Sequence, residues 1–462
     1  MQTEDEAFPC VRFLLVALCS VSVTLLLALR QWWTPFELWF HRQRVRRYFG
    51  TVHEQRHRRH HLGGRKAIKA TKSKYTPLSV PPPGKIFRWD FRSPSPPSSS
   101  SSSSSFTDKE PLRVVSWNLE FGYQLDDIME QLASLRPDVV LLQEVDLFDN
   151  GRDLSRNVCT AIAARLRMNA VWAGHHRYFL SSASSSSSLR ERKVKENEGR
   201  EEGEREEGRG GGCWGNAILT RWDVEEESVR FLRLEHLPGY DRSALCARIL
   251  LPHSSSSSCA SASSSSLLCC SVHLEVCCGL SRRLQQFEQV LSWLQEDAAN
   301  KPQQREGEAK EGVIIGGDLN TLAHGLLRLS PFHCGDEHRW QSVGWTEAQW
   351  WHHHIFSSSS SPSSSFLSSS TLNFIHQLGL RDPFCKDVSK ENDKRRTKKR
   401  WLFLKKQHEN EDEEEVSMEN FWISAKMDWL LLSRSLNVLD KRVGRGCNAS
   451  DHFWLSVDAS VS

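Results

Sequence analysis

The sequence has little of several features that mark common classes of protein. Its 462 residues include 60 Lys+Arg and 57 Asp+Glu, so the formal net charge is only +3 and by itself indicates no strongly anionic partner. Thirteen cysteines are present, but no Cys-x-x-Cys spacing occurs among them, which disfavours a zinc site. The odd number and the two adjacent pairs also disfavour a disulfide framework. Small buried thiols in a reducing compartment explain the cysteines better.

The chain also has less domain-like sequence than its length suggests. Its serine-rich and charged stretches are too poor in apolar residues to offset the entropy lost on ordering. We therefore predict one domain over 106–462 with four low-complexity insertions, at 181–212, 254–266, 357–370 and 386–420. Without them the patterned region is roughly 250 residues, a normal size for one large α/β domain.

A single apolar run near the N-terminus is long enough to cross a bilayer. Residues 13–29 contain no charge, and Trp32 and Trp33 follow where an interfacial aromatic belt would lie. We predict an uncleaved membrane anchor at 13–29, after a short tail at 1–12. A cleaved signal peptide is the alternative, but the leading residues are acidic and no small-x-small site follows the run. Basic residues cluster after the run, so the positive-inside rule places the domain in the cytosol.

The segment between the anchor and the domain, 30–105, is predicted to be a linker that is basic first and then rich in Pro and Ser. Within it, residues 41–75 carry twelve Lys or Arg against one acid, Glu54. Such a run favours an anionic neighbour, which could be a membrane surface, RNA or DNA. A solvated linker that trails from the anchor explains the run equally well.

Short apolar strands alternate with helices from residue 112 onward. The predicted strands are 112–117, 138–143, 216–220, 244–250, 267–274, 313–315, 427–432 and 453–457. Apolar residues recur on one face in 124–135 and 282–296, which predicts amphipathic helices there. This alternation is typical of a layered α/β fold, in which ligand sites gather beyond the strand ends.

Polar residues follow several of these strands at the point where each strand ends. The clusters are Ser116-Trp117-Asn118, Gln143-Glu144, Ser271-Val272-His273-Leu274-Glu275, Gly316-Gly317-Asp318-Leu319-Asn320, Lys426-Met427-Asp428 and Ser450-Asp451-His452. Each is ordinary alone: a Gly-Gly-Asp is more often a turn, and a single histidine is more often a core residue. Together they supply carboxylates, carboxamides and histidines at strand ends. These groups suffice for metal-assisted attack of water on a phosphoester.

Seven segments resemble the endonuclease/exonuclease/phosphatase superfamily, whose DNase I-like fold is shared by abasic-site endonucleases, deadenylases, neutral sphingomyelinases and inositol polyphosphate 5-phosphatases. The segments are SWNLE, LLQEVD, GNAILTRW, SVHLE followed by Arg283 and Gln286, GGDLNT, KMDWLLL and ASDHFWLSV. They occur in the family's order over about 112–458. The resemblance implies an α/β fold built as a four-layer αββα sandwich, and a metal-dependent phosphoester hydrolase.

The resemblance also implies a metal site. Glu144 matches the principal Mg²⁺ ligand of the family, and Asn118 matches a neighbour that contacts metal or phosphate. Asp451 resembles a carboxylate that lies near the metal in many members. The expected cofactor is Mg²⁺, and Mn²⁺ accepts the same oxygen ligands.

Five further residues match positions with catalytic roles in the family. Asp318 resembles the residue that orients or deprotonates the attacking water, and Asn320 the amide that steadies the pentacoordinate phosphate. His452, held by Asp428, would stabilise a phosphoryl oxygen or relay a proton. His273 matches a histidine that the nuclease and sphingomyelinase branches place at the scissile phosphate. These groups converge on oxygens that gain charge in the transition state.

Several other residues can be interpreted as either functional or structural. Arg242 is a candidate contact for substrate phosphate, although an exposed structural ion pair is equally consistent with the sequence. Asn216 is expected to have a structural role. The consecutive histidines 352–354 point in different directions and make a poor chelate, so a loop is expected there. The apolar patch 401–404 is read as part of a charged insertion rather than as a membrane- or nucleic-acid-facing finger.

The sequence does not choose between substrates. The segments GGDLNTLAHGLLRLSP, GWTEAQWW and RDPF are similar to a poorly characterised branch with membrane-associated or secreted members. The anchor favours a phospholipid or sphingolipid substrate, whereas the basic run favours a nucleic acid. A catalytically inactive, membrane-tethered module that binds phosphate is a third reading, and no protein partner can be inferred.

Overall fold

The structure is a computed structural model that describes the larger part of the chain. The described residues are 83–92, 111–147, 157–179, 211–235, 242–252, 265–276, 278–300, 311–321, 347–356, 367–385, 418–420, 423–444 and 449–461. The predicted anchor 13–29, the basic run 41–75 and the patch 401–404 lie outside these residues. Within the described ranges, no helix is both long and apolar enough to cross a membrane.

The described residues form fifteen strands in two large mixed sheets and one small pair. The strands are β1 Ile86–Asp90, β2 Leu112–Asn118, β3 Val139–Leu147, β4 Asn169–Phe179, β5 Gly211–Thr220, β6 Asp223–Val224, β7 Arg230–Leu234, β8 Arg242–Leu250, β9 Ser266–His273, β10 Gly312–Asp318, β11 Met418–Asn420, β12 Ile423–Ala425, β13 Asp428–Leu432, β14 Leu436–Val443 and β15 Leu455–Val461. The first sheet has the order β1-β4-β5-β3-β2-β15-β14, and the second has the order β13-β10-β9-β8-β6, with β7 also paired to β8. The strands β11 and β12 pair with each other.

Five α-helices accompany the sheets within the described part of the chain. They are α1 Leu125–Leu135, α2 Val158–Leu166, α3 Leu280–Ala299, α4 Glu347–Trp351 and α5 Ser369–Leu378, and a π-helical turn, His352–Phe356, continues α4. The helix α1 ends at Arg136, which adopts the left-handed conformation immediately before Pro137. The side chain of Asn157 caps α2 by accepting a hydrogen bond from the Thr160 amide at 3.1 Å.

Three apolar clusters show how the layers stack. One lies between the two sheets and includes Leu141 of the first sheet and Ile314 and Leu430 of the second. A second joins α1 and α2 to the outer face of the first sheet, and a third joins α3, α4 and α5 to the outer face of the second. The result is the four-layer αββα sandwich that the family resemblance implied.

All eight predicted strands and both predicted helices are present, with ends displaced by a few residues. Several predicted domain and insertion boundaries differ from the structure. The strand β1, which was assigned to the linker 30–105, pairs antiparallel with β4, and Phe87 stacks on Trp89 with ring centroids 5.7 Å apart. The folded domain therefore begins upstream of residue 106. Strand residues also extend into the predicted insertions at 211–212, 266 and 418–420, and α5 begins at Ser369.

A buried polar bridge fixes the two sheets against each other near the strand ends. Gln143 Nε2 donates to Ser271 Oγ at 2.9 Å, and Ser271 Oγ donates to the Leu142 carbonyl at 2.8 Å. Asn216 Nδ2 donates to the Ser243 carbonyl at 2.9 Å. Buried polar groups are costly unless they are paired. These bonds therefore favour one alignment of the sheets, and they place Asn216 in a structural role, as the sequence predicted.

Candidate active site

The polar strand ends converge because of strand register. Asp318 ends β10, and it stands opposite His273 of the parallel strand β9 and Asp428 of the antiparallel strand β13. Asn118 ends β2 in the other sheet. Its Nδ2 donates to Asp318 Oδ2 at 3.1 Å, so this one hydrogen bond joins the two sheets at the site.

Glycine allows β10 and β9 to approach closely at the site. Gly317 has φ +152°, and a Cβ added there would lie 1.8 Å from the Val272 carbonyl oxygen. A Cβ on Gly316 would lie 2.7 Å from Leu141 Cδ1. The two glycines thus lie within a buried strand rather than in a turn. Gly317 lets β10 lie close to β9, where Asp318 stands opposite His273, and Gly316 lets the two sheets approach each other.

Asp318 is the centre of the cluster, with a side chain that is nearly fully buried. Its Oδ2 lies 3.6 Å from His273 Nε2 and 3.8 Å from His452 Nε2. The Asn320 amide donates to Asp318 Oδ1 at 2.9 Å, and Asn320 Nδ2 donates to the Leu274 carbonyl at 2.9 Å. The carboxylate of Asp318 is thereby fixed between two imidazoles.

His452 is oriented from its other side. Its Nδ1 lies 2.7 Å from Asp428 Oδ2, and its Nε2 lies 3.9 Å from Asp451 Oδ1. The His452 amide donates to Ser450 Oγ at 3.2 Å, and Ser450 Oγ donates to the Asn118 carbonyl at 2.7 Å. The Asp428 contact leaves Nε2 directed toward Asp318, which is the arrangement required for a proton relay.

Burial and charge shift the protonation of this pair. Burial raises the pKa of Asp318 to about 7, with the charges of Asp428 and Glu144 adding to the rise and His452 opposing it. Burial alone would lower the pKa of His452, but the neighbouring carboxylates, led by Asp428, outweigh it and raise that pKa well above its usual value. The surrounding carboxylates therefore favour the protonated form of His452.

The donor set fits a hard divalent cation. Asp318, Asp428 and His452 have ligand atoms within 4.8 Å of one another, and Glu144 is nine-tenths buried. His452 and Asp428 already bond each other, so the oxygens of Glu144 and Asn118 are the better candidates to hold the ion. A bound cation would offset the mutual repulsion of these carboxylates.

Backbone strain concentrates at these strand ends. Six described non-glycine residues have positive φ, and two of them, Arg136 and Arg167, are helix C-caps. The other four are Glu120, Phe121, Glu144 and Asn320. Left-handed conformations cost about 1–2 kcal/mol each and persist where the surrounding structure fixes them, often at functional sites.

Arg242 lies at the edge of the site but is not exposed, so of its two interpretations the exposed ion pair is wrong. Its side chain is 8% exposed, and its Nη2 lies 4.0 Å from Glu275 Oε1. Its guanidinium carbon lies 5.4 Å from the Trp214 ring centroid, and Trp214 in turn contacts the ring of His273. The structure thus connects Arg242 to the site through Trp214.

The histidines 352–354 are helical rather than in a loop, because they continue α4 as the π-helical turn. The His354 ring stacks on Trp350, with centroids 4.6 Å apart. Among the described residues, the carboxylate and histidine group suited to a metal ion does not include these histidines.

A buried ion pair that the sequence analysis missed supports the loop after β9. Arg283 of α3 pairs with Glu347 of α4 through two contacts, at 2.7 Å and 2.5 Å, and both side chains are almost fully buried. Arg283 Nη1 also donates to the carbonyls of Glu275 and Cys278, at 3.2 Å and 2.7 Å. The segment GWTEAQWW thus supplies the counterion for Arg283. The sequence signal for this pair is that Arg283 falls on the otherwise apolar face of α3, where a charge needs a buried partner.

The segment RDPF supplies a second buried pair. Lys426 Nζ lies 2.6 Å from Asp382 Oδ2 and 4.8 Å from the Trp429 ring centroid. Thr321 Oγ1 donates to the Lys426 carbonyl at 2.5 Å. Because Lys426 lies two residues before Asp428, the first residue of β13, these contacts fix the strand end that carries Asp428.

The described cysteines agree with the prediction of buried free thiols. Six of the seven are buried and all seven are free: Cys159, Cys213, Cys246, Cys269, Cys270, Cys278 and, partly exposed, Cys385. Burial raises the pKa of Cys278 to about 12. Such thiols are poor nucleophiles, so we do not expect these described cysteines to take part in catalysis.

A four-layer sandwich with carboxylates, amides and imidazoles at its strand ends defines a phosphoesterase-type hydrolase. The model of the endonuclease/exonuclease/phosphatase family matches residues 115–452. The chain belongs to this family. No curated protein matches the chain in sequence.

Several solved structures are similar at low identity. A family protein from Leptotrichia buccalis is 11% identical, with 75% of this chain and 99% of that one covered and a TM-score of 0.39. An AP endonuclease from Leishmania major is 13% identical, with coverage of 79% and 91% and a TM-score of 0.38. A sphingomyelinase C from Streptomyces griseocarneus is 12% identical, with coverage of 76% and 99% and a TM-score of 0.32.

Proposed function

We propose that the protein is a divalent-metal-dependent hydrolase of phosphoesters, with Mg²⁺ as the expected ion and Mn²⁺ as the alternative. The observation that carries the proposal is the buried cluster in which Asp318 lies between His273 and His452 and is joined to Asn118 of the other sheet. Membership of the family supports the reaction class. The substrate is proposed to be a nucleic acid or a lipid headgroup ester.

Each residue has a role that its contacts support. Asp318 orients and deprotonates the attacking water, because burial raises its pKa to about 7, near the working pH of a general base. His452, held by Asp428 at 2.7 Å, donates a hydrogen bond or a proton toward a phosphoryl oxygen. Asn320 and His273 flank the same carboxylate and steady the phosphate, and Arg242 adds positive charge beside them.

A bound cation would neutralise charge that develops on phosphate oxygens. We assign Glu144 and Asn118 as its principal holders, with Asp451 at the partly exposed side of the site. Glu144 lies where the β3–β5 register shifts between Leu142 and Val145, which lets its side chain turn into the site instead of continuing the strand.

The Glu144 assignment predicts a change in metal requirement. Glu144→Gln removes one ligand charge while keeping side-chain size, so the Mg²⁺ concentration for half-maximal cleavage of bis(4-nitrophenyl) phosphate should rise by at least about tenfold. Glu130→Gln, at an exposed position on α1, is the matched control and should leave that concentration unchanged. An unchanged Mg²⁺ requirement in Glu144→Gln would remove Glu144 from the metal site.

We also propose that residues 13–29 anchor the chain in a membrane, with the domain on the cytosolic side. The apolar run and the basic residues after it support this arrangement. The full chain should sediment with membranes and resist extraction at high salt, and a chain without residues 1–40 should be released. If that truncated chain stays in the pellet and high salt releases it, the basic run 41–75 is the attachment instead.

A further inference from the structure

A row of aromatic rings extends from the end of β2 to the catalytic histidines. The Phe121 ring packs edge-on against Trp214 with centroids 5.4 Å apart, and it contacts Tyr123 at 5.7 Å. Trp214 contacts His273 at 5.6 Å, and His273 lies 3.6 Å from Asp318. We call Phe121, Tyr123 and Trp214 the aromatic platform. Trp214 is its buried base, whereas Phe121 and Tyr123 are only partly buried.

The backbone that presents the platform is strained. Glu120, Phe121 and Gly122 have φ values of +47°, +61° and +71°, so three consecutive residues are left-handed. A Cβ on Gly122 would lie 2.8 Å from both methyl carbons of Val158, so this turn packs tightly on α2. The backbone of an aromatic residue rarely adopts a left-handed conformation, so the surrounding structure must stabilise it here. The turn directs a large ring toward Trp214, three residues after Asn118.

A cation already occupies part of this environment. The Arg242 guanidinium lies 5.4 Å from the centre of the Trp214 ring, within the range of a cation–π contact. Glu275 Oε1, at 4.0 Å, is its carboxylate neighbour. A second cation such as a trimethylammonium headgroup would be repelled by the guanidinium. A planar, uncharged ring attached to a phosphate meets no such repulsion, and its phosphate is attracted.

We propose that the aromatic platform receives the planar base of a nucleotide, so that the substrate is a nucleotide phosphoester rather than a choline lipid. This inference rests on the proposed function, since it places the base beside the phosphate that Asp318 and the histidines flank. Base stacking on aromatic side chains is tolerant of base identity. The platform therefore selects for the presence of a base and not for a sequence.

Calorimetric titration of the full chain in nonionic detergent and Mg²⁺ tests the proposal with two probes that differ only in the base. AMP should bind roughly 5- to 100-fold more tightly than ribose 5-phosphate, because only AMP can stack. Phe121→Ala should bring the ratio of the two Kd values to near one, and Phe121→Tyr should restore it. Trp89→Ala, a ring change on the edge strand β1, should leave the ratio as in the parent.

Equal binding of AMP and ribose 5-phosphate by the parent chain would overturn the proposal. So would phosphocholine that binds more tightly than AMP and loses its advantage in Phe121→Ala, which would assign the platform to a choline headgroup. Hydrolysis of bis(4-nitrophenyl) phosphate is measured in parallel, because this substrate has no nucleobase and its hydrolysis does not depend on the base site. A lack of hydrolysis would count against the proposed function, while the Kd ratio still shows whether the aromatic platform binds a base.

Discussion

Asp318→Asn is expected to lower kcat for phosphoester hydrolysis by roughly 10²- to 10⁴-fold, the range typical for loss of a positioned general base. The amide keeps the size of the side chain and can still accept the hydrogen bond from Asn118, which now measures 3.1 Å. It cannot take a proton from water. The measurement is kcat and KM at saturating Mg²⁺, with Asp440→Asn, an exposed carboxylate on β14, as the control that should retain parental kcat.

The same substitution should raise the stability of the metal-free protein, which separates a catalytic role from a folding defect. Burial raises the pKa of Asp318 from 3.8 to about 7, so the folded chain holds this proton more tightly than the unfolded chain. Stability is therefore lost as pH rises from about 4 to 7, and at pH 8 the buried carboxylate opposes folding. Removing that charge should increase the urea midpoint at pH 8. A lower midpoint together with lost activity would instead indicate misfolding.

Glu347→Ala is expected to lower the free energy of unfolding by about 3–5 kcal/mol, because it leaves the guanidinium of Arg283 buried without a counterion. Equilibrium urea unfolding measures the loss. The exposed pair of Arg88 and Glu226 is the matched control, and Glu226→Ala should cost less than about 1 kcal/mol.

A double variant tests the electrostatic reason for that loss. Arg283→Met with Glu347→Leu removes both charges and keeps apolar volume, so it should recover most of the lost stability. It should not recover full activity, because the carbonyls of Glu275 and Cys278 lose their donor and the loop after His273 is less well held. A Glu347→Ala loss below about 1 kcal/mol would show that the pair contributes little.

Sequence patterning predicted the layered α/β class and the polar strand ends, because both can be recognised in short stretches of sequence, whereas the four-layer arrangement followed from the family resemblance. Apolar runs such as 139–142 and the amphipathic face of α1 are visible in any short window. The convergence of Asp318, His273 and Asp428 followed from the family resemblance, and strand register explains it.

The missed elements have weaker patterns or depend on distant partners. The edge strand β14 has a mixed sequence, with Leu439 62% exposed, and β1 is flanked by Pro and Ser. Nothing near Glu347 in the sequence shows that its partner is Arg283, 64 positions away. The contact of Phe121 with Trp214 likewise joins the turn after β2 to strand β5, which only the folded sheet brings together.

The measurement that tests the central claim most directly is Mg²⁺-dependent turnover by the full chain on single-stranded DNA, abasic duplex, RNA, sphingomyelin and phosphoinositide, with the Asp318→Asn rate subtracted. We predict turnover of at least one of these phosphoesters, abolished by chelation, restored by Mg²⁺ and missing in Asp318→Asn. Turnover that survives both chelation and Asp318→Asn would contradict the account. Mg²⁺ binding without turnover of any substrate would contradict it also, and would favour a phosphate-binding module.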